Sequence, residues 1–188
     1  MKLLVDADSC PREARELVIR VSARRPGVRA VFAANRRIPG TKGRKNITME
    51  ICPPGDNSAD DRLVELGEPG DLAVTRDLAL AKRLLEKGIT VIDDRGRNFT
   101  QDNINELLSI RLFTVAVAEA GLGRERIAGY DRKNLKEFAD SLDRRLTKLE
   151  KSAQSVLPLP VNAPPDTVPP SPVTVNIPTD TANPARLP

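Results

Sequence analysis

The chain has 188 residues, 39% of them hydrophobic, with a net charge of +4, two cysteines and no histidine. The missing histidine excludes Ser-His-Asp triads, imidazole general bases and most zinc or iron sites, and two cysteines are too few for a disulfide framework or a structural zinc site. No apolar run reaches the roughly eighteen residues needed to span a membrane, and no signal peptide is visible, so a reducing cytoplasm is the expected compartment.

The last part of the chain differs from the rest. Between Lys151 and Pro188 stand ten prolines and only four charged residues, which cancel. Such a composition buries too little apolar surface to offset chain entropy, so residues 151–188 are expected to form a disordered Pro-rich tail. Residues 1–150 then make one domain with a single core. They carry the whole net charge, a modest basic excess that fits nucleic-acid binding and equally an ordinary surface.

Taken in order, Lys2–Asp6 is an apolar run closed by an acid and reads as a buried strand. Pro11 suits the first position of a helix, whose apolar face is Ala14, Leu17, Val18 and Val21, ended by Pro26-Gly27. Val28–Ala34 reads as a second strand, Asn35–Lys45 as a loop with five cations and no acid, and Ile47–Cys52 as a short strand. A helix follows near Asn57 or Ser58. Either residue can cap it, with Asp60 or Asp61 completing a capping-box-like pair. Asp71–Thr75 is the next strand, and Asp77 starts a helix with Leu78, Ala81, Leu84 and Leu85 on one face. Gly88 ends it. Ile89–Ile92 is another strand, followed by the turn Asp93-Asp94-Arg95-Gly96. Thr100 caps a longer helix with Ile104, Leu107, Leu108 and Leu112, broken by Gly121 and Gly123; a last helix shows Leu135, Phe138, Ala139, Leu142, Leu146 and Leu149. Alternating strands and helices predict an α/β fold, a mainly parallel sheet covered on both faces.

In such sheets the functional crevice lies beyond the carboxyl ends of the strands. Asp6 and Asp8 follow the first strand, Asp77 and the pair Asp93-Asp94 follow later ones, and Asp60 heads a helix on the same side if the crossovers are right-handed. Gathered there, such hard oxygen donors suit Mg²⁺ or Mn²⁺. Singly, each acid has a plainer role: Asp60 and Asp77 as helix caps, Asp93 and Asp94 as turn residues. Asp6 is harder to dismiss, because an acid ending a buried strand needs a partner.

Val5-Asp6-Ala7-Asp8-Ser9-Cys10-Pro11 resembles the opening signature of the YaiI/YqxD family of bacterial proteins. Gly55-Asp-Asn-Ser-Ala-Asp60, Gly70-Asp-Leu-Ala-Val-Thr-Arg-Asp77 and Arg95-Gly-Arg-Asn-Phe-Thr100 with Asn103-Ile104 resemble its later motifs in the same order, over residues 1–150. The resemblance implies a PIN-like or NYN-like three-layer α/β/α fold. In that fold strand-end aspartates bind divalent metal for RNA cleavage, an activity carried over from fold relatives. It assigns Asp6, Asp8, Asp60 and Asp77 to the catalytic metal site, with Asn57 as a weaker ligand or a cap; Asp93 and Asp94 match less clearly.

Arg36, Arg37, Lys42, Arg44 and Lys45 are candidates for sequence-independent contact with nucleic-acid phosphates, or a solvated loop. By resemblance Arg95 is a further phosphate contact, with capping a carbonyl or pairing with Asp93 as its plainer roles. Cys10 sits at a helix start, a setting that favours thiolate. A Cys-x₅-Arg phosphatase loop would need Arg at position 16, where Glu16 stands, so a packed thiol is expected. The sparse aromatics, Phe32, Phe99, Phe113, Phe138 and Tyr130, speak against a base-stacking platform. Two rival functions stay open. One is a haloacid-dehalogenase-like phosphatase, with Asp6 as nucleophile, Asp8 as acid and Thr75 at a strand end; the other is a non-catalytic RNA-binding or regulatory module.

Overall fold

The apolar run at the amino terminus becomes the middle of a sheet. β1 (Lys2–Asp6) pairs in parallel with β2 (Arg29–Ala34) on one side and with β4 (Leu72–Val74) on the other. Leu3, Leu4 and Val5 are therefore fully buried on both faces, which is why the run shows no polar alternation. β3 (Ile47–Ile51) adds in parallel to β2, and β5 (Thr90–Ile92) to β4, giving the order β3-β2-β1-β4-β5-β6. The computed structural model describes residues 1–55, 57–121 and 129–155.

β6 (Asn98–Phe99) is a two-residue edge strand antiparallel to β5. No periodicity announces so short a segment in the sequence. It forms because Asp93 folds the chain back on itself: its Oδ1 accepts from the backbone N–H groups of Arg95 (2.9 Å) and Arg97 (2.7 Å). Gly96 completes the turn at φ +84°, where a Cβ would come within 2.5 Å of the Glu137 carbonyl oxygen. Only glycine satisfies both demands.

Among the described residues, five helices cover the sheet. α1 (Arg12–Arg24) and α5 (Arg132–Ser155) lie on one face, where Ala14, Val18, Phe138, Leu142 and Leu146 pack against Leu3, Val5 and Phe32. α2 (Ser58–Leu66), α3 (Leu78–Glu86) and α4 (Gln101–Glu119) lie on the other, where Leu63, Leu80, Leu84 and Ile104 pack against Leu4, Val31 and Val91. This is the expected three-layer α/β architecture, with adjacent residues of β1 feeding opposite cores.

Several local expectations change. The buried face of α1 also takes in Ile19 and Ser22, while Leu17 and Val21 are only partly buried. Ile19 is recruited by the β2–β3 connection: Gly40 lies over its Cδ1, and Ile38 joins the same cluster. Leu112, read as part of the core face of α4, is 71% exposed, because the second half of that helix extends past its packing partners. The α2 cap fails as well. Asn57 is left-handed (φ 64°) with no side-chain cap, and the Ser58 hydroxyl turns back to donate to the Pro53 carbonyl (2.6 Å). By contrast, Thr100 and Asn103 form a complete capping box on α4. α5 runs on to Ser155, past the expected boundary at residue 150. The remainder of the Pro-rich segment, Gly123 and Asp56 lie outside the described residues. No helix among the described residues is long and apolar enough to cross a membrane.

Candidate metal site at the carboxyl ends of the strands

The strand order reverses between β1 and β4: one runs on to β2 and β3, the other to β5. At such a switch point the connections leave in opposite directions and open a crevice. Asp6, the last residue of β1, and Thr75, just after β4, face each other across it. The Thr75 hydroxyl donates to Asp6 Oδ2 (2.8 Å) and accepts from the Asp77 backbone N–H (3.0 Å). Ser9, in the turn after β1, donates its hydroxyl to Asp6 Oδ2 and its backbone N–H to Oδ1 (3.3 Å). A carboxylate 5% exposed at the end of a core strand is thereby satisfied by neutral donors alone.

Asp77 has the plain role expected of it. Its Oδ1 accepts from the Ala79 and Leu80 backbone N–H groups and caps α3. Asp60, in the first turn of α2, differs: its carboxyl has no hydrogen bond or ion pair among the described residues. Its pKa is pushed up from 3.8 to about 6, first by burial and then by the charges of Asp6 and Asp77. The three acids thus share one electrostatic space. Asp8 stands at the rim, exposed, its Oδ2 accepting from the Asn35 backbone N–H (2.9 Å) and tying down the start of the basic loop. Among the described residues no three Asp, Glu or Cys side chains stand close enough to share one ion directly. The donor chemistry still suits Mg²⁺, which holds several of its waters and needs only one or two carboxylates.

Asp93 and Asp94 serve a different place. Asp93 builds the turn already described. Asp94 is 1% exposed, with neither carboxylate oxygen hydrogen-bonded and Arg76 Nε 3.5 Å from Oδ1. Burial raises its pKa, against the Arg76 charge. Asp94 also raises that of Cys10, whose 3% exposed thiol is pushed to about 12, with burial the larger cause. The packed thiol expected here is what the structure shows: desolvation and neighbouring acids outweigh the pull of the helix end towards thiolate.

The cations divide. Arg36, Arg37, Lys42, Arg44 and Lys45 are all exposed, but their loop runs from the carboxyl end of β2 to the amino end of β3. Only Arg36 and Arg37 stay at the carboxyl edge, while Lys45 lines a hollow with Met1 and Gly27 at the opposite end. A second cationic group, of which the sequence marked only Arg95, stands with Asp93 and Asp94, which pair with Arg97 and Arg76. Arg76, Arg95, Arg97 and Arg111 line a cleft of about 270 Å³ whose apolar wall includes Phe99 and Ile110. These arginines come from three separate places along the chain, so no short sequence window shows them together. Ser9 was likewise missed as a partner of Asp6, although it sits inside the Asp6–Pro11 motif.

The family model described as "Uncharacterized BCR, YaiI/YqxD family" matches residues 4–148. The chain belongs to the YaiI/YqxD family. Its relatives include the UPF0178 protein of Treponema pallidum (strain Nichols), 44% identical over 82% of this chain and 86% of that one. The UPF0178 protein of Myxococcus xanthus (strain DK1622) is 38% identical over 81% of this chain and 98% of its own length. No solved structure matches. The family match runs from within β1 to within α5 and so takes in Asp6, Asp60, Asp77 and the Gly96 turn.

Proposed function

We propose that this YaiI/YqxD protein is a divalent-metal-dependent phosphodiesterase acting on RNA, with Asp6, Asp60 and Asp77 as its metal-binding acids and Asp8 at their rim. The observation that carries the reading is Asp60. A half-buried carboxyl with no hydrogen bond or ion pair among the described residues, its pKa pushed up by burial and then by two neighbouring acids, is the arrangement a divalent cation would relieve. Bound Mg²⁺ or Mn²⁺ would supply an activated water and neutralise charge on the leaving oxygen.

The chain's own residues set the rest. Thr75 and Ser9 hold Asp6 in place, so its carboxylate needs little reorganisation. Asp77 is fixed by its cap bonds. The cleft of Arg76, Arg95, Arg97 and Arg111, where Asp93 and Asp94 offset part of the charge, suits a phosphate backbone. The phosphatase reading is weakened by α1, which starts at Arg12 and leaves only a short turn after Asp8.

The test is cleavage of mixed RNA and DNA oligonucleotides by wild type and Asp6→Asn, with Mg²⁺, with Mn²⁺ and in chelator. The expected result is metal-dependent RNA cleavage by the wild type and a loss of roughly 10²-fold or more in the variant, on the scale of removing a key charge-stabilising group. Undiminished cleavage by Asp6→Asn would sink the assignment. RNA binding without any cleavage would favour the regulatory module, and trapping of an aspartyl-phosphate would favour the phosphatase.

A further inference from the structure

Of the large apolar side chains exposed on the described surface, Ile110, Leu112, Phe113 and Val115 all stand on one stretch of α4 at 46–72% exposure, with Ile51 the fifth. The first half of α4 is ordinary: Ile104 is buried, and Leu107 and Leu108 pack into the core shared with α3. From Ser109 to Glu119 every residue is exposed except Val117, which is half-buried. A helix apolar all round its circumference is normally covered. The four side chains present roughly 400 Å² of apolar surface, the scale at which exposed patches mark interaction sites.

The sequence of this stretch identifies the occupant. Bulky residues (Ile110, Leu112, Phe113) precede Val115, and small ones (Ala116, Ala118, Ala120) follow it. Arg111 and Glu119 stand at equal separations on either side of Val115, and neither pairs with a charged group among the described residues. At about 100° per residue Arg111, Leu112, Ala118 and Glu119 flank Val115 on one face of the helix, so an antiparallel copy crossing at Val115 sets Arg111 against Glu119 and Leu112 against Ala118, while Phe113 stays on the far side. Because a two-fold axis repeats every contact, the ion pair and the Leu112–Ala118 contact each occur twice. A pair meeting on this single stripe, with Leu112 and Val115 as its apolar centre, falls below the area of a standard interface, so the association is a weak one.

We infer that the exposed half of α4, Ser109–Glu119, is a homodimer surface on which a second copy of this chain lies antiparallel, centred on Val115. The inference does not rest on the metal-site acids, although Arg111 also lines the cationic cleft.

Sedimentation equilibrium of the full chain from about 1 to 200 μM tests it, the monomer mass being 20.6 kDa. The wild type should approach twice that mass at the upper end and dissociate on dilution. Leu112→Glu should remain monomeric, with its thermal unfolding confirming that it is folded. Arg111→Glu and Glu119→Arg should each weaken association about tenfold by placing like charges opposite each other. The double variant should recover to within about threefold of wild type, an outcome that does not depend on Leu112→Glu folding. A wild type monomeric throughout the range overturns the inference, as does a double variant no tighter than either single one.

Discussion

Replacing Asp60 by asparagine should stabilise the metal-free protein at neutral pH while removing its response to divalent metal. The folded state holds the Asp60 proton more tightly than the unfolded chain, with a pKa of about 6 against 3.8. As pH rises through that window, the unfolded state releases its proton first, so stability falls and the loss is complete above pH 6. At about 1.4 kcal/mol per tenfold change in proton affinity, the full penalty is about 3 kcal/mol. Half-burial and solvent screening reduce it to about 1–2 kcal/mol. The substituted amide carries no such charge, so in chelator at pH 8 the variant should melt about 3–6 °C above wild type for a domain of this size. At pH 3.5, where Asp60 is protonated in the folded state and largely so in the unfolded one, the difference should all but vanish. Adding Mg²⁺ at ten times its dissociation constant should raise the wild type by about 1.4 kcal/mol and the variant by much less. The assay is thermal or urea unfolding across pH 3.5–8, with chelator and with Mg²⁺. A variant no more stable than wild type at pH 8, or one whose advantage persists unchanged at pH 3.5, would refute the shared electrostatic space of Asp6, Asp60 and Asp77.

Gly96→Ala should cost about 2–4 kcal/mol in urea unfolding, because it combines a left-handed backbone with a Cβ driven onto the Glu137 carbonyl; a loss below about 1 kcal/mol would mean that α5 simply moves away. Asp71→Ala should cost about 2–4 kcal/mol at neutral pH, since it orphans the Lys2 and Glu68 backbone N–H groups from which Asp71 accepts at 2.6 and 3.0 Å. That loss should appear in denaturant titrations and leave the proposed RNA cleavage by the folded fraction intact. Arg97→Ala should weaken oligonucleotide binding in chelator and lower the slope of log affinity against log salt by about one, for one lost phosphate contact. An unchanged slope in fluorescence-anisotropy titrations would remove Arg97 from the interface.

Periodicity and strand-end acids made much of this protein legible from its sequence. The run Lys2–Asp6, apolar without alternation, could only be a strand buried on both faces, and Phe138, Leu142 and Leu146 repeat at a helical period because a sheet lies beneath them. Asp77 and Thr100 announced their helices because capping is a local interaction between residues two or three apart. Tertiary structure decided everything that depends on residues meeting across the fold. Asp6 and Asp71 both border apolar strands, yet Asp6 takes the hydroxyls of Ser9 and Thr75 in the crevice, while Asp71 ties down Lys2 and Glu68 at the other end of the sheet. The basic loop looked like one patch and is strung between two opposite edges of the sheet, whereas four arginines scattered from 76 to 111 converge on one cleft. Leu112 fits the helical stripe yet stands in solvent, because a stripe records the angle around a helix and not how far along its axis the core extends. Local chemistry in this chain is set by neighbours along the sequence; which charges share a space, and which apolar faces stay uncovered, is set by the folded packing alone.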